Sequence, residues 1–230
     1  MMHKNILIFG ASKGIGAELV SQFSTIKSMH VIALARDIES VNNWDEKENV
    51  SVHNFDLTSL SMKEDLSEIL TKYSEIDYVV NNAGLLINKA FLELTEKDIQ
   101  TSYDVNVIGV MKSLQIVLPK MFTSGGHVVN ISSMGGFQGT VKFSGLSTYS
   151  SSKAALVSLT EMLAEEYKES KVKFNCLCLG AVQTEMLEKA FPGYQAPISA
   201  TRMAEYIVDF TLNAFNWING KVIPVSLSTP

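Results

Sequence analysis

Near its start the chain sets three glycines within seven residues, Gly10-Ala11-Ser12-Lys13-Gly14-Ile15-Gly16, directly behind the apolar run Ile6-Leu7-Ile8-Phe9. A short apolar run without polar alternation is what a strand buried on both faces requires. The residues that follow, Ala17 to Phe23, carry helical periodicity. Strand, glycine turn and helix in that order form a nucleotide cradle. The glycines let the backbone turn tightly and approach a diphosphate, and the helix start offers free N–H groups and a positive dipole end. The spacing is G-x3-G-x-G rather than the commoner G-x-G-x-x-G. An ordinary glycine-rich loop is the competing reading.

Further apolar runs follow at intervals suited to strands: 30–35, 50–55, 76–80, 126–133, 172–179 and 217–225. Helical patterns lie between them, at 60–73, from 95 onward, 149–167, 184–190 and 201–214. Strands alternating with helices predict an α/β chain: a single Rossmann domain over 1–230, with a doubly wound parallel sheet of about seven strands and helices on both faces. Residues 39–47 read as a weak helix or loop around Trp44. Loops 134–148 and 184–200 are the candidate substrate loops.

In such a fold the end of the second strand meets the adenosine ribose, where an acid suits NAD and an Arg suits the 2′-phosphate of NADP. Here Ala35 is followed by Arg36 and then Asp37, so the register decides. Lys13 is a second cation able to reach a phosphate. Asp56, with Leu57 after the third strand, would accept from an adenine amino group or cap the following helix. Asn81-Asn82-Ala83-Gly84 is a polar turn behind the fourth strand, and Asn106 lies inside the apolar helical run 105–110. A buried amide there must have its hydrogen bonds met.

The fifth strand ends in Ser132-Ser133, and the carboxyl end of a central strand is where open α/β sheets bind ligands. Tyr149 and Lys153 are four residues apart on a helix and so share a face. A cation beside a phenol lowers its pKa from about 10, which predicts a proton-exchanging tyrosine.

Composition narrows the alternatives. A net charge of −5 without a Lys/Arg cluster argues against nucleic acid. No 18-residue apolar span suits a membrane, and the N-terminus is too short for a signal peptide, so the expected location is cytoplasmic. Cys176 and Cys178 read as reduced strand thiols, and no metal site is expected.

Taken in order, these motifs resemble the short-chain dehydrogenase/reductase family over essentially the whole chain. The resemblance implies hydride transfer between NADP(H), or less favourably NAD(H), and a carbonyl or alcohol. Asn106, Ser133, Tyr149 and Lys153 stand at the family's catalytic positions. Tyr149 would act as acid or base, Lys153 would lower its pKa and hold the nicotinamide ribose, Ser133 would polarise the carbonyl, and Asn106 would hold Lys153 and a water. The implied cofactor residues are Gly10, Ser12, Lys13, Gly14, Ile15, Gly16, Arg36, Asp56, Leu57, Asn82, Ala83, Gly84, Tyr149, Lys153, Gly180, Val182 and Thr184, with Asn175 in the same later stretch. Lys13 and Arg36 resemble the NADP-preferring pattern.

Departures from the family are Phe9 for a threonine, Leu179 for a proline, and a sixteen-residue interval from Ser133 to Tyr149. That interval keeps Ser132 as a second candidate for the serine role. A homodimer or homotetramer is implied, with Leu156, Leu159 and Leu163 among its apolar helix residues. A catalytically silent dinucleotide-binding sensor or scaffold, and an NAD-dependent alcohol dehydrogenase, are the alternative functions.

Overall fold

The computed structural model describes residues 4–38, 44 and 47–227. Seven parallel strands form one sheet in the order β3-β2-β1-β4-β5-β6-β7: β1 Lys4–Phe9, β2 Met29–Ala35, β3 Val50–Asn54, β4 Tyr78–Asn81, β5 Gly126–Ser133, β6 Val172–Leu179 and β7 Lys221–Val225. Helices α1 Gly14–Phe23, α2 Met62–Leu70, α3 Glu96–Tyr103, α4 Gly109–Val117, α5 Ser147–Glu166, α6 Glu185–Ala190 and α7 Ala200–Asn213 connect them. The predicted α/β architecture is the one observed. Most of 39–47 falls outside the described residues, although Trp44 is buried.

The continuous apolar strands are explained by two cores. Ile6 and Ile8 of β1 face α1 and α7, packing with Leu19, Phe23, Met203 and Ile207. Leu7 and Phe9 face the opposite way, toward α2, α4 and α5, with Leu66, Leu114 and Leu156. Side chains alternate across a strand, so both faces of each central strand must be apolar. Leu159 and Leu163 also pack against this second core. Leu156 is buried in this core, whereas Leu159 and Leu163 stay partly exposed.

Buried amides tie the layers together. Asn81 Nδ2 donates to Asn130 Oδ1 at 2.7 Å, and Asn130 Nδ2 donates to Thr160 Oγ1 at 2.8 Å, linking β4, β5 and α5. His127 on β5 is fully buried. Its Nδ1 meets the Thr211 carbonyl at 2.9 Å, and its Nε2 meets Asn175 Nδ2 at 2.9 Å. An amide donor on one nitrogen and a carbonyl on the other suit the neutral, Nδ1-protonated ring. Asn175 also bonds the Ile218 carbonyl and the Lys221 amide. It therefore joins β5, β6 and β7 and does not belong to the cofactor stretch.

Burial pushes the His127 pKa down to about 4. The folded value lies below the unfolded one near 6.5, so protonation favours the unfolded chain. The contribution is full above the unfolded value and is lost as pH falls toward the folded one. Unfolding free energy from urea titrations is expected to drop by about 2 kcal/mol between pH 7 and 5, a window in which most carboxylates stay ionised. His127→Gln is expected to flatten that dependence.

Candidate active site

Strand order reverses between β1 and β4, and ligand crevices open at such switch points beyond the carboxyl ends of the strands. A cleft of about 450 Å³ lies there. Gly10, Ser12, Lys13, Gly14 and Ile15 line its glycine-loop end, together with Arg36, Asp56 and Leu57. Asn82, Ala83 and Gly84 lie across its middle, and Ser133, Tyr149, Lys153, Gly180, Val182 and Thr184 line its other end.

The glycines are required by contact. Gly10 has φ +78°, and a Cβ there would stand 2.6 Å from Ala83 Cα. A Cβ on Gly16 would lie 1.9 Å from the Gly10 carbonyl oxygen. Gly16 itself lies beneath the loop and does not line the cleft. Asn82 Nδ2 donates to that same Gly10 carbonyl at 2.9 Å, and the Leu34 carbonyl accepts from the Gly10 and Ala11 amides. No side chain caps the start of α1. Its first amides therefore remain available, in a cradle that any larger residue would fill, and these features fit a dinucleotide diphosphate.

Arg36 and Asp37 are both exposed on the cleft rim. Asp56 Oδ1 accepts from the Thr58 amide at 2.8 Å and from the Thr58 hydroxyl at 2.7 Å. Asp56 thus builds the turn before α2, whose N-cap is Ser61. Phe9 packs on Phe55, their ring centroids 5.8 Å apart, and both line the cleft where the family has a hydroxyl behind the loop. Leu179 lines the cleft as well, and the Gly180 amide bonds the Val225 carbonyl at 2.9 Å, so β7 braces this turn without a proline.

At the other end, Tyr149 and Lys153 lie near the start of α5 and both are buried. Lys153 Nζ donates to the Ile131 carbonyl at 2.9 Å. Burial lowers the Lys153 ammonium to about 8 and raises the Tyr149 phenol to about 12. The neighbouring Ser133 hydroxyl opposes the rise at Tyr149 and is outweighed. The lysine-lowered phenol expected from sequence is therefore not what this geometry produces. The ammonium turns to a strand carbonyl, and desolvation dominates the phenol.

The two serines separate cleanly. Ser133 Oγ accepts from the Gly135 amide at 3.2 Å and reaches the Tyr149 phenol. Ser132 Oγ donates to the Lys153 carbonyl at 2.9 Å and pins α5 to β5. The long interval does not separate Ser133 from Tyr149. Lys142 and Thr140 fold the loop back on the Met134–Phe137 carbonyls, and the Gly145 carbonyl bonds the Lys89 amide at 2.9 Å.

Asn106 sits in a π-helical turn, Asp104–Ile108, between α3 and α4, closed by a bond from the Gly109 amide to the Asp104 carbonyl. Its Oδ1 accepts from the Leu85 amide at 2.8 Å, while Nδ2 donates to the Leu85 carbonyl at 3.0 Å and to Ser152 Oγ at 2.9 Å. These bonds hold the turn after β4 and the start of α5, the helix that carries Lys153; the resemblance implied that Asn106 helps hold Lys153 and a water. Ser152 is a partner that sequence reasoning missed. A hydroxyl one residue before Lys153 was the available signal.

Thr184 caps α6, accepting from the Leu187 amide at 3.3 Å. Glu185, not anticipated from sequence, stands over the glycine loop, with its Oε2 3.4 Å from where a Gly14 Cβ would be. Cys176 and Cys178 are free and buried in β6. Among the described residues no cluster of potential metal ligands occurs, and no helix is long and apolar enough to cross a membrane.

A parallel sheet with this strand order, and a glycine cradle at its switch point, defines a Rossmann-type α/β protein. The short chain dehydrogenase model matches residues 4–195, and the chain belongs to that family of oxidoreductases. An uncharacterized oxidoreductase of Staphylococcus saprophyticus is 30% identical over 194 residues, covering 81% of each chain. The 3-oxoacyl-acyl-carrier-protein reductase FabG of Thermotoga maritima is 29% identical over 196 residues, covering 81% of this chain and 77% of that one. The solved structure of ElxO with NADP bound is similar at a TM-score of 0.82 and 27% identity, covering 98% of both chains.

Proposed function

We propose that the protein reduces a carbonyl to an alcohol with NADPH, Tyr149 giving the proton. The observation that carries this is the buried Tyr149 phenol, which lines the same cleft as Ser133, Lys153 and the glycine cradle. A bound nicotinamide supplies or accepts the hydride. Tyr149 Oη releases its proton to the substrate oxygen, and Ser133 Oγ orients that oxygen. Lys153, anchored on the Ile131 carbonyl one helical turn from Tyr149, would hold the nicotinamide ribose. Asn106 acts as a positioning residue through Leu85 and Ser152. A phenol raised to about 12 is protonated at neutral pH, the state that reduction needs.

NADPH is favoured over NADH in this reading because Arg36 and Lys13 line the glycine-loop end of the cleft, and a guanidinium fork suits a 2′-phosphate. The NADP bound in ElxO, at 27% identity, supports the same choice. Asp37 on the same rim is the residue that would favour NADH. Arg36→Ala is expected to weaken NADPH binding on the order of tenfold, with little effect on NADH, as measured by fluorescence titration. Equal affinities of the native chain for the two cofactors would overturn the preference.

Self-association, as the family resemblance implies, would use the exposed Met111 of α4 and Met162 of α5 together with Phe122. Sedimentation at micromolar concentration is expected to show a dimer or tetramer, and a clean monomer would refute it.

A further inference from the structure

Resting on that reading, we infer that the substrate is an uncharged apolar ketone, and that carbonyls carrying a carboxylate or a phosphate-bearing carrier are disfavoured. Beside Tyr149 the cleft wall is built from Leu86, Met134, Phe143, Leu146, Met186 and Phe191. These residues come from the turn after β4, the loop before α5, and the α6 segment. Asn88 Nδ2 bonds the Ala190 carbonyl and the Lys89 amide bonds the Gly145 carbonyl, so all three segments close on one another. The apolar wall is therefore a joint product of the two candidate substrate loops and not a chance stripe on one of them.

Charge at this end points the same way. Among the described residues that line it, Lys153 is the only cation, and it sits at the reacting centre, bonded to Ile131. The lysines of the adjoining loops are engaged. Lys89 pairs with Asp98 at 2.7 Å. Lys142 donates to the Gly135 and Phe137 carbonyls and to Thr140 Oγ1, which uses all three of its N–H groups. Lys189 lies a turn beyond Glu185 on α6 and does not line the cleft. A carboxylate entering here loses its hydration without gaining a partner, and an apolar chain gains contact. Lys13 and Arg36 stand at the opposite, glycine-loop end of the cleft, where in this reading they serve the cofactor.

The test uses the full-length protein with NADPH and NADH and four substrates. Two are methyl hexyl ketone and the same chain ending in a carboxylate. The others are a neutral 3-oxoacyl thioester of N-acetylcysteamine and that acyl group on its carrier protein. kcat/KM for the neutral ketone is expected to exceed that for its carboxylate on the order of 100-fold, and the carrier-bound thioester is expected to gain nothing over the neutral one. Met186→Lys, at a partly exposed wall position, is expected to raise kcat/KM for the carboxylate on the order of tenfold. Comparable turnover of the carboxylate and the ketone, or preference for the carrier-bound acyl group, overturns the inference and leaves the hydride-transfer reading standing. No oxidation of either cofactor with any carbonyl overturns that reading, and the inference with it.

Discussion

Tyr149→Phe is expected to lower kcat/KM for carbonyl reduction by roughly 10²–10⁴-fold while NADPH binding stays within about threefold of the native value. The substitution removes one oxygen from a buried ring and leaves the ring's packing in place. The phenol is the titratable hydroxyl buried at this end of the cleft, beside Ser133. Steady-state rates alongside fluorescence titration of NADPH separate the two effects. Near-normal turnover in the variant would remove Tyr149 from the chemistry. Tight NADPH binding by a native chain inert to every carbonyl would instead favour the dinucleotide-binding sensor.

Gly16→Ala carries the second large effect. Its Cβ would stand 1.9 Å from the Gly10 carbonyl oxygen and 2.7 Å from Asn82 Nδ2. The first clash is with backbone that cannot rotate away, and that carbonyl is the one Asn82 holds at 2.9 Å. Relief requires moving α1 from the sheet or opening the glycine loop. Either displaces the amides proposed to receive the diphosphate. A loss of about 3 kcal/mol of stability is expected, with dinucleotide binding abolished. Gly193→Ala is the control. Gly193, unlike Gly16, has a positive φ, +81°, and nothing lies within 4 Å of its added Cβ. Its cost should be about 1 kcal/mol of backbone strain, with binding intact. Equal melting temperatures and equal cofactor affinities for the two variants would show that the loop does not depend on this contact.

The contrast between these glycines shows where sequence reading reaches its limit. Gly10, Gly14 and Gly16 were recognisable because they follow an apolar strand and precede a helix. The reason each excludes a side chain differs, and all three involve residues far along the chain: Ala83 beside Gly10, Thr184 beside Gly14 and Asn82 beside Gly16. Asn81 and Asn82 were visible as a polar turn behind a strand. That Asn81 reaches Asn130, and Asn82 the first glycine, depends on β4 lying between β1 and β5.

Several further points were decided by three-dimensional neighbours. Ser132 and Ser133 are chemically identical and adjacent, and strand alternation sends one into α5 and the other to Tyr149. Asp37 and Arg36 both reach the rim, so position along the chain does not choose between the cofactors. Of Leu156, Leu159 and Leu163 only Leu156 is fully covered, because a helical pattern does not reveal which side the sheet will cover.

The sequence by itself determined the element order, the parallel doubly wound sheet, the glycine cradle and the residue types gathered at its far end. Local signals suffice for these, because strand and helix periodicity, glycine punctuation and i, i+4 spacing act over a few residues. Only the tertiary structure decided that desolvation pushes Tyr149 up rather than Lys153 pulling it down, that Asn106 serves Leu85 and Ser152, and that loops separated by about a hundred positions join into one apolar wall. Each of these depends on burial or on hydrogen bonds between residues distant in sequence, and such neighbours are defined only once the chain has packed.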